Sequence, residues 1–171
     1  EAGRLDLVLH TGDLVHDYSA AAYSRLRERL LDFGVPTLVI PGNHDHADEM
    51  RRQFAMPPVT WQFQTVVGNW LIVMLDSSIH GEPGGRLQPA ELEQLNEVLE
   101  ALPQLHALVC LHHHPVAMGS EWIDQIGVEN GEALFRVLDR HTNVRAVLWG
   151  HVHQTFDGER QGVRLMATPS T

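Results

Sequence analysis

One cysteine in 171 residues, Cys110, leaves no disulfide framework to hold a fold. It stands in Leu108-Val109-Cys110-Leu111, where a small apolar side chain suits a buried strand, and a reducing cytoplasm is the expected setting. No apolar run approaches the roughly 20 residues of a membrane-spanning helix, and the opening residues lack the charged-then-apolar order of a signal peptide. A starting Met is also missing, from which we expect a chain that begins part-way through a gene product. Basic residues are few, 12 against 22 acidic ones, for a formal charge of −10. Without a basic stripe the chain is not expected to bind nucleic acid. An acidic protein that handles phosphate must reverse the sign of its local field, and bound divalent cations do that. What is plentiful is histidine, with twelve, and its placement is informative.

Short β-rich runs alternate with amphipathic stretches, the pattern of an α/β domain, and no repeat, linker or low-complexity tract divides residues 1–171. Strands are expected over residues 6–11, 37–40, 107–111, 146–149 and 163–167. A hairpin is expected from 64–67 and 70–75 across Gly68-Asn69. A helix follows Ser19 as N-cap, with Tyr23, Leu26, Leu30 and Leu31 on one stripe and Gly34 at its end. Further helices are expected over 47–56, 89–102 and 132–140. That over 89–102 is the clearest, with Pro89 in its first turn and Leu92, Leu95, Leu99 and Leu102 on one face.

Four of the strands end alike: an apolar run gives out and ligand-type side chains appear. They are Gly12-Asp13, Gly42-Asn43-His44-Asp45, His112-His113-His114-Pro115 and Gly150-His151-Val152-His153. Ligands of open α/β sheets gather beyond the carboxyl ends of strands, so four such tips are expected to converge. Imidazole, carboxylate and amide oxygen without thiolate suit borderline to hard divalent ions such as Mn, Fe, Zn or Co. The first three motifs alone read more readily as a turn, a loop or a chance run, and Gly-His-x-His stands about even; their succession, each after a strand, is what argues for a site.

This order resembles the calcineurin-like metallophosphoesterase superfamily. Gly12-Asp13-Leu14-Val15-His16-Asp17, Leu111-His112-His113-His114-Pro115, Trp122-Ile123-Asp124-Gln125, Gly150-His151-Val152-His153-Gln154 and Ala167-Thr168-Pro169-Ser170-Thr171 are similar to bacterial class III cyclic-nucleotide phosphodiesterases, the cyclic-AMP type in particular. The resemblance implies a β-sandwich flanked by helices in α/β/β/α layers, truncated here at both ends. It implies two divalent metals: Asp13 bridging them, Asn43, His112 and His151 completing the second, and His153 on the first. It makes His44 the general acid with Asp45 orienting its ring, and places Asn43, His44, His113 and His153 against substrate. The implied reaction is hydrolysis of 3′,5′-cyclic AMP to 5′-AMP by a hydroxide shared between the metals. The implied partner is thus a small cyclic nucleotide, with no nucleic acid and no membrane, and a homodimer is an allowed assembly.

The family opens with an Asp-x-His on an earlier strand, and nothing of that kind precedes Asp13. The first metal is therefore expected to be short of ligands, and an impaired metal-binding fragment stands as one alternative. Another small diester, such as a glycerophosphodiester, stands as a second. Trp122, Asp124 and Asn130 either line a nucleotide pocket or pack beside a helix start. Asp76 reads as a structural strand-end acid and Asp17 as a brace for the Asp13 loop. His10, His16, His46, His80, His106 and His141 have no motif partners.

Overall fold

Apolar side chains fill both alternating sets along the long strands, which gives each strand two faces to bury. A computed structural model describes residues 5–170; residues 1–4 and Thr171, on which the expectations about the chain's ends bear, lie outside the described residues. The chain runs β1 (Val8–His10), α1 (Ala20–Leu31), β2 (Thr37–Val39), α2 (Ala47–Gln53), β3 (Val59–Thr60), β4 (Gln64–Val67) and β5 (Trp70–Met74). It continues with α3 (Pro89–Ala101), β6 (His106–Leu111), α4 (Glu121–Asp124), α5 (Gly131–Leu138), β7 (Val144–Trp149), β8 (Phe156–Arg160) and β9 (Val163–Ala167).

Two sheets form. β1-β2-β3 is all parallel, and β4-β5-β6-β7-β9-β8 is mixed, with antiparallel pairs at its two edges and parallel pairs between β5, β6, β7 and β9. Alternation sorts the side chains into layers. Leu71, Val73 and Leu75 join Val109, Leu111, Val147 and Trp149 on one face, packed under Leu95 and Leu99 of α3 and Leu134 and Leu138 of α5. Their neighbours Ile72, Met74 and Cys110 point the other way, against Leu38, Ile40 and Leu9 of the small sheet. Behind that sheet, Val39 and Val59 meet Tyr23 and Leu30 of α1 and Met50 and Phe54 around α2. The layers are therefore α/β/β/α, as the resemblance implied. Cys110 lies at the centre, fully buried, and burial pushes its thiol up to about 12. No helix among the described residues is long and apolar enough to cross a membrane.

Local signals account for most boundaries. Ser19 caps α1, its hydroxyl accepting from Ala22 N at 3.1 Å, and Gly34 closes the turn after it at φ 67°. Asp17 braces this cap, accepting from Ser19 N and Oγ at 3.0 and 2.9 Å. Three elements had no signal in the sequence: the two-residue β3, the four-residue α4, and β8, whose Asp157, Glu159 and Arg160 make a polar edge strand.

Candidate metal centre

Asp13 and Asn43 follow β1 and β2, while His112 and His151 follow β6 and β7, so both sheets contribute to one point. Gly12 adopts φ 99°, and a Cβ there would stand 2.3 Å from the His112 ring. A Cβ on Gly42 would stand 2.1 Å from Asp13 Oδ1. These two glycines let the strand tips close on each other.

His112 lies at the middle. Its Nδ1 is 2.7 Å from the Thr11 carbonyl, which can only accept, so Nδ1 carries a hydrogen. The other nitrogen, Nε2, is 3.2 Å from Asn43 Oδ1, 3.2 Å from His151 Nδ1 and 3.4 Å from Asp13 Oδ1. An amide oxygen, a carboxylate and two imidazoles thus turn acceptor atoms toward one another, an arrangement that only positive charge relieves. The donor set fits a divalent cation, with Asp13, Asn43, His112 and His151 as the residues able to hold it. The Asp13 carboxyl responds to the same need. Burial works against its charge, but the His112 ring, when it carries a second proton, and the His44 N–H outweigh burial and hold it well below the usual carboxylate range. His151 is pushed down to about 4 by burial and by the neighbouring His112 and His114 rings, which leaves it neutral. His112, His113 and His151 also bring ring nitrogens within 4.8 Å of one another.

Asp45 is placed differently from its expected role. Its oxygens accept from Leu14 N, Val15 N, Gly42 N and the Tyr23 hydroxyl at 2.9–3.3 Å, and it makes no bond to the His44 ring. Once the strand tips fold together, those donors surround the carboxylate and hold it away from the imidazole. Asp45 therefore ties the Asp13 loop to the Asn43 loop. Burial raises its pKa, with the Gly42 and Leu14 N–H groups pulling the other way.

His44 donates its backbone N–H to Asp13 Oδ1 at 3.0 Å, while its ring is exposed and lies 5.3 Å from that of His16. His153 is exposed at φ 51°, and among the described residues its side chain makes no hydrogen bond. The two remaining histidines of the triple are buried. His113 Nδ1 is 2.9 Å from Ser77 Oγ, and the His114 ring stacks on His151 at 5.7 Å. Burial, then the His112 and His151 rings, push His113 down to about 2.

Of the proposed nucleotide-facing residues, Asn130 is committed elsewhere, its amide paired with both Leu87 N and Leu87 O. Asp124 accepts from Met118 N and lines a cavity of about 300 Å3 next to His114. Trp122 is 70% exposed, so it is not a packed residue. Thr11, Tyr23 and Ser77 were missed by sequence reasoning. Their roles depend on a carbonyl or a hydroxyl meeting a partner distant in the chain, and no local pattern marks that.

The model of the calcineurin-like phosphoesterase family matches residues 1–155. The 3′,5′-cyclic adenosine monophosphate phosphodiesterase CpdA of Pseudomonas aeruginosa is 41% identical over all of this chain, and that of Haemophilus influenzae 40%. The chain spans 62% and 63% of the length of those two relatives. A dimetal phosphatase from Danio rerio superposes with a TM-score of 0.71 at 17% identity, over 97% of this chain and 73% of its own, which bears on fold alone. The chain belongs to the calcineurin-like phosphoesterase family, in which divalent metal is the expected cofactor.

Proposed function

We propose that the chain forms the hydrolytic core of a metal-dependent phosphodiesterase that opens 3′,5′-cyclic AMP to 5′-AMP. The observation carrying this reading is the meeting of Asp13, Asn43, His112 and His151 around one ring nitrogen. The substrate class is supported by relatives named as cyclic-AMP phosphodiesterases at about 40% identity across the whole chain. When bound, divalent ions such as manganese, iron, zinc or cobalt supply charge stabilisation at phosphate oxygens and acidify water.

The chain's own residues do the rest. Asp13 and Asn43 offer oxygens and His112 and His151 offer neutral imidazole nitrogens to a cation; His153 is the candidate, with Asp13, for a second. His44 stands exposed above Asp13, free to turn toward a bound ester and to protonate the departing ribose 3′ oxygen. Asn43, His44, His113 and His153 are the candidate substrate contacts. Asp45 acts by holding the two loops in register.

The test is 5′-AMP release from cyclic AMP by the chain in excess manganese, beside a His44→Ala variant shown by calorimetry to bind the ion. A fall of about 10²–10⁴-fold is expected for loss of a general acid. Equal activity in the variant would remove His44 from the chemistry. Turnover of a glycerophosphodiester in preference to cyclic AMP would overturn the assigned substrate.

A further inference from the structure

His112 and His113 are chain neighbours, both buried, both facing the same cluster, yet their partners are of opposite kind. His112 Nδ1 meets a carbonyl, Thr11 O, and must donate to it. His113 Nδ1 meets a hydroxyl, Ser77 Oγ, at 2.9 Å. That hydroxyl oxygen already accepts the backbone N–H of His113 at 3.2 Å, and Ser77 is fully buried. Its hydrogen needs an acceptor, and among the described residues the one its side chain finds is His113 Nδ1. Gly85 closes the other side: a Cβ there would lie 2.3 Å from His113 Nδ1 and 2.5 Å from the Ser77 carbonyl oxygen, so no water fits against that nitrogen.

The consequence falls on the far side of the ring. With Nδ1 accepting, the hydrogen of a neutral imidazole sits on Nε2, and an N–H cannot coordinate a cation. His113 Nε2 is buried without a partner, in a ring whose centre is 4.8 Å from that of His112 and 4.6 Å from that of His151. A buried donor left unmade is costly, and beside a cation site the natural acceptor is the anion the cation attracts.

We infer that Ser77 is a positioning residue that holds His113 as an Nε2–H donor to an oxygen of the bound phosphate group, and that His113 is not a third imidazole ligand of the metal. The donor role rests on the phosphodiesterase reading above; the tautomer does not. Adjacent histidines are thereby split into a ligand, His112, and a donor, His113, by the chemistry of what touches Nδ1.

Nitrogen-15 NMR of histidine-labelled chain, first metal-free and then with zinc, reads this directly. The expected result is a pyridine-type Nδ1 and a protonated Nε2 for His113, with the reverse for His112. On adding zinc, His112 and His151 should respond while His113 keeps its Nε2 hydrogen. A protonated Nδ1 in His113, or loss of its Nε2 hydrogen to zinc, would overturn the proposal. A zinc titration that moves no histidine would count against the metal centre, while the tautomer is still read on the metal-free chain. In parallel, Ser77→Ala and His113→Ala should bind manganese within about threefold of the parent chain. They should bind inorganic phosphate about tenfold more weakly, as for the loss of one charge-assisted hydrogen bond. Manganese affinity falling tenfold or more in a folded His113→Ala chain would make His113 a ligand and end the proposal.

Discussion

The two halves of the sandwich deliver the site's residues by different means. The six-stranded half is thick: β5, β6 and β7 run five or six residues each, buried on both faces, with α3 and α5 packed across one side. His112, His113 and His151 leave strands held still by their ladders and by packing on both faces. The three-stranded half is thin. Its strands have two or three residues, β1 is only half-buried, and its own core is a small cluster under α1 and α2. Asp13 and Asn43 leave this half, and packing there is too slight to aim a carboxylate. Polar bonds make up the difference: Asp45 gathers three backbone N–H groups and the Tyr23 hydroxyl, and that hydroxyl in turn accepts from His46 N at 2.8 Å. One site is aimed by apolar layers on one side and by a single half-buried carboxylate on the other.

Removing that carboxylate is the most damaging way to break the comparison. Asp45→Ala strands four donors, each worth about 1–3 kcal/mol when buried without a partner. Because Asp45 itself is costly to charge where it sits, the net loss expected is on the order of 4 kcal/mol in urea unfolding. Manganese affinity should collapse with it, as Asp13 and Asn43 lose their alignment. If Asp45→Ala remains folded and binds manganese as the parent does, the latch is not what positions the thin half. In the thick half the opposite separation is expected. Leu95→Ala opens a cavity beneath α3 and should cost about 3 kcal/mol. Yet manganese affinity measured well below its melting temperature should stay within about twofold, because His112 and His151 are fixed by several strands at once. A large loss of metal in Leu95→Ala would show that the two halves are not separable in this way.

The same contrast decides what could be read from the sequence. The thick half was legible, since Leu71 to Leu75 and Ala107 to Leu111 are apolar throughout and the helices over them carry regular stripes. The cap at Ser19 and the stop at Gly34 were legible because both act on their own neighbours. β3 was not, because two residues carry no period, and its pairing to β2 is set by the fold rather than by Val59 and Thr60 themselves. The candidate ligands were legible because ligand-type side chains appear where an apolar run gives out, beside a glycine at three of the four strand ends. The bonds of Asp45 were not legible, for the converse reason. The resemblance implied a pairing with the His44 ring next to it, whereas its bonds reach 22 to 31 residues back as well as to Gly42. Tyr23 reads as one more residue on an apolar stripe, and its ring does pack there; only the fold reveals that its hydroxyl belongs to the latch.

A subtler test sets two half-buried carboxyls against each other. Glu91, at the start of α3 in the thick half, accepts from Asp76 N at 2.6 Å. Burial pushes its pKa up to about 7, with Asp76 adding to the rise and the Asp76 and Gln88 N–H groups opposing it. It has fewer donors around it than Asp45, whose own pKa burial also raises. The native state therefore keeps the Glu91 proton in a range where the unfolded chain has released it, from about pH 4.5 to about pH 7. With more protons bound to the folded form, stability falls as pH rises through that window. Allowing for partial exposure, the fall is about 2 kcal/mol. Glu91→Gln retains an oxygen for Asp76 N but cannot ionise. Urea unfolding of the metal-free chain at pH 5 and pH 8 should therefore show the parent losing about 2 kcal/mol more than the variant. Equal losses in the two would mean that Glu91 is already ionised at pH 5, and that burial in the thick half costs its charge little.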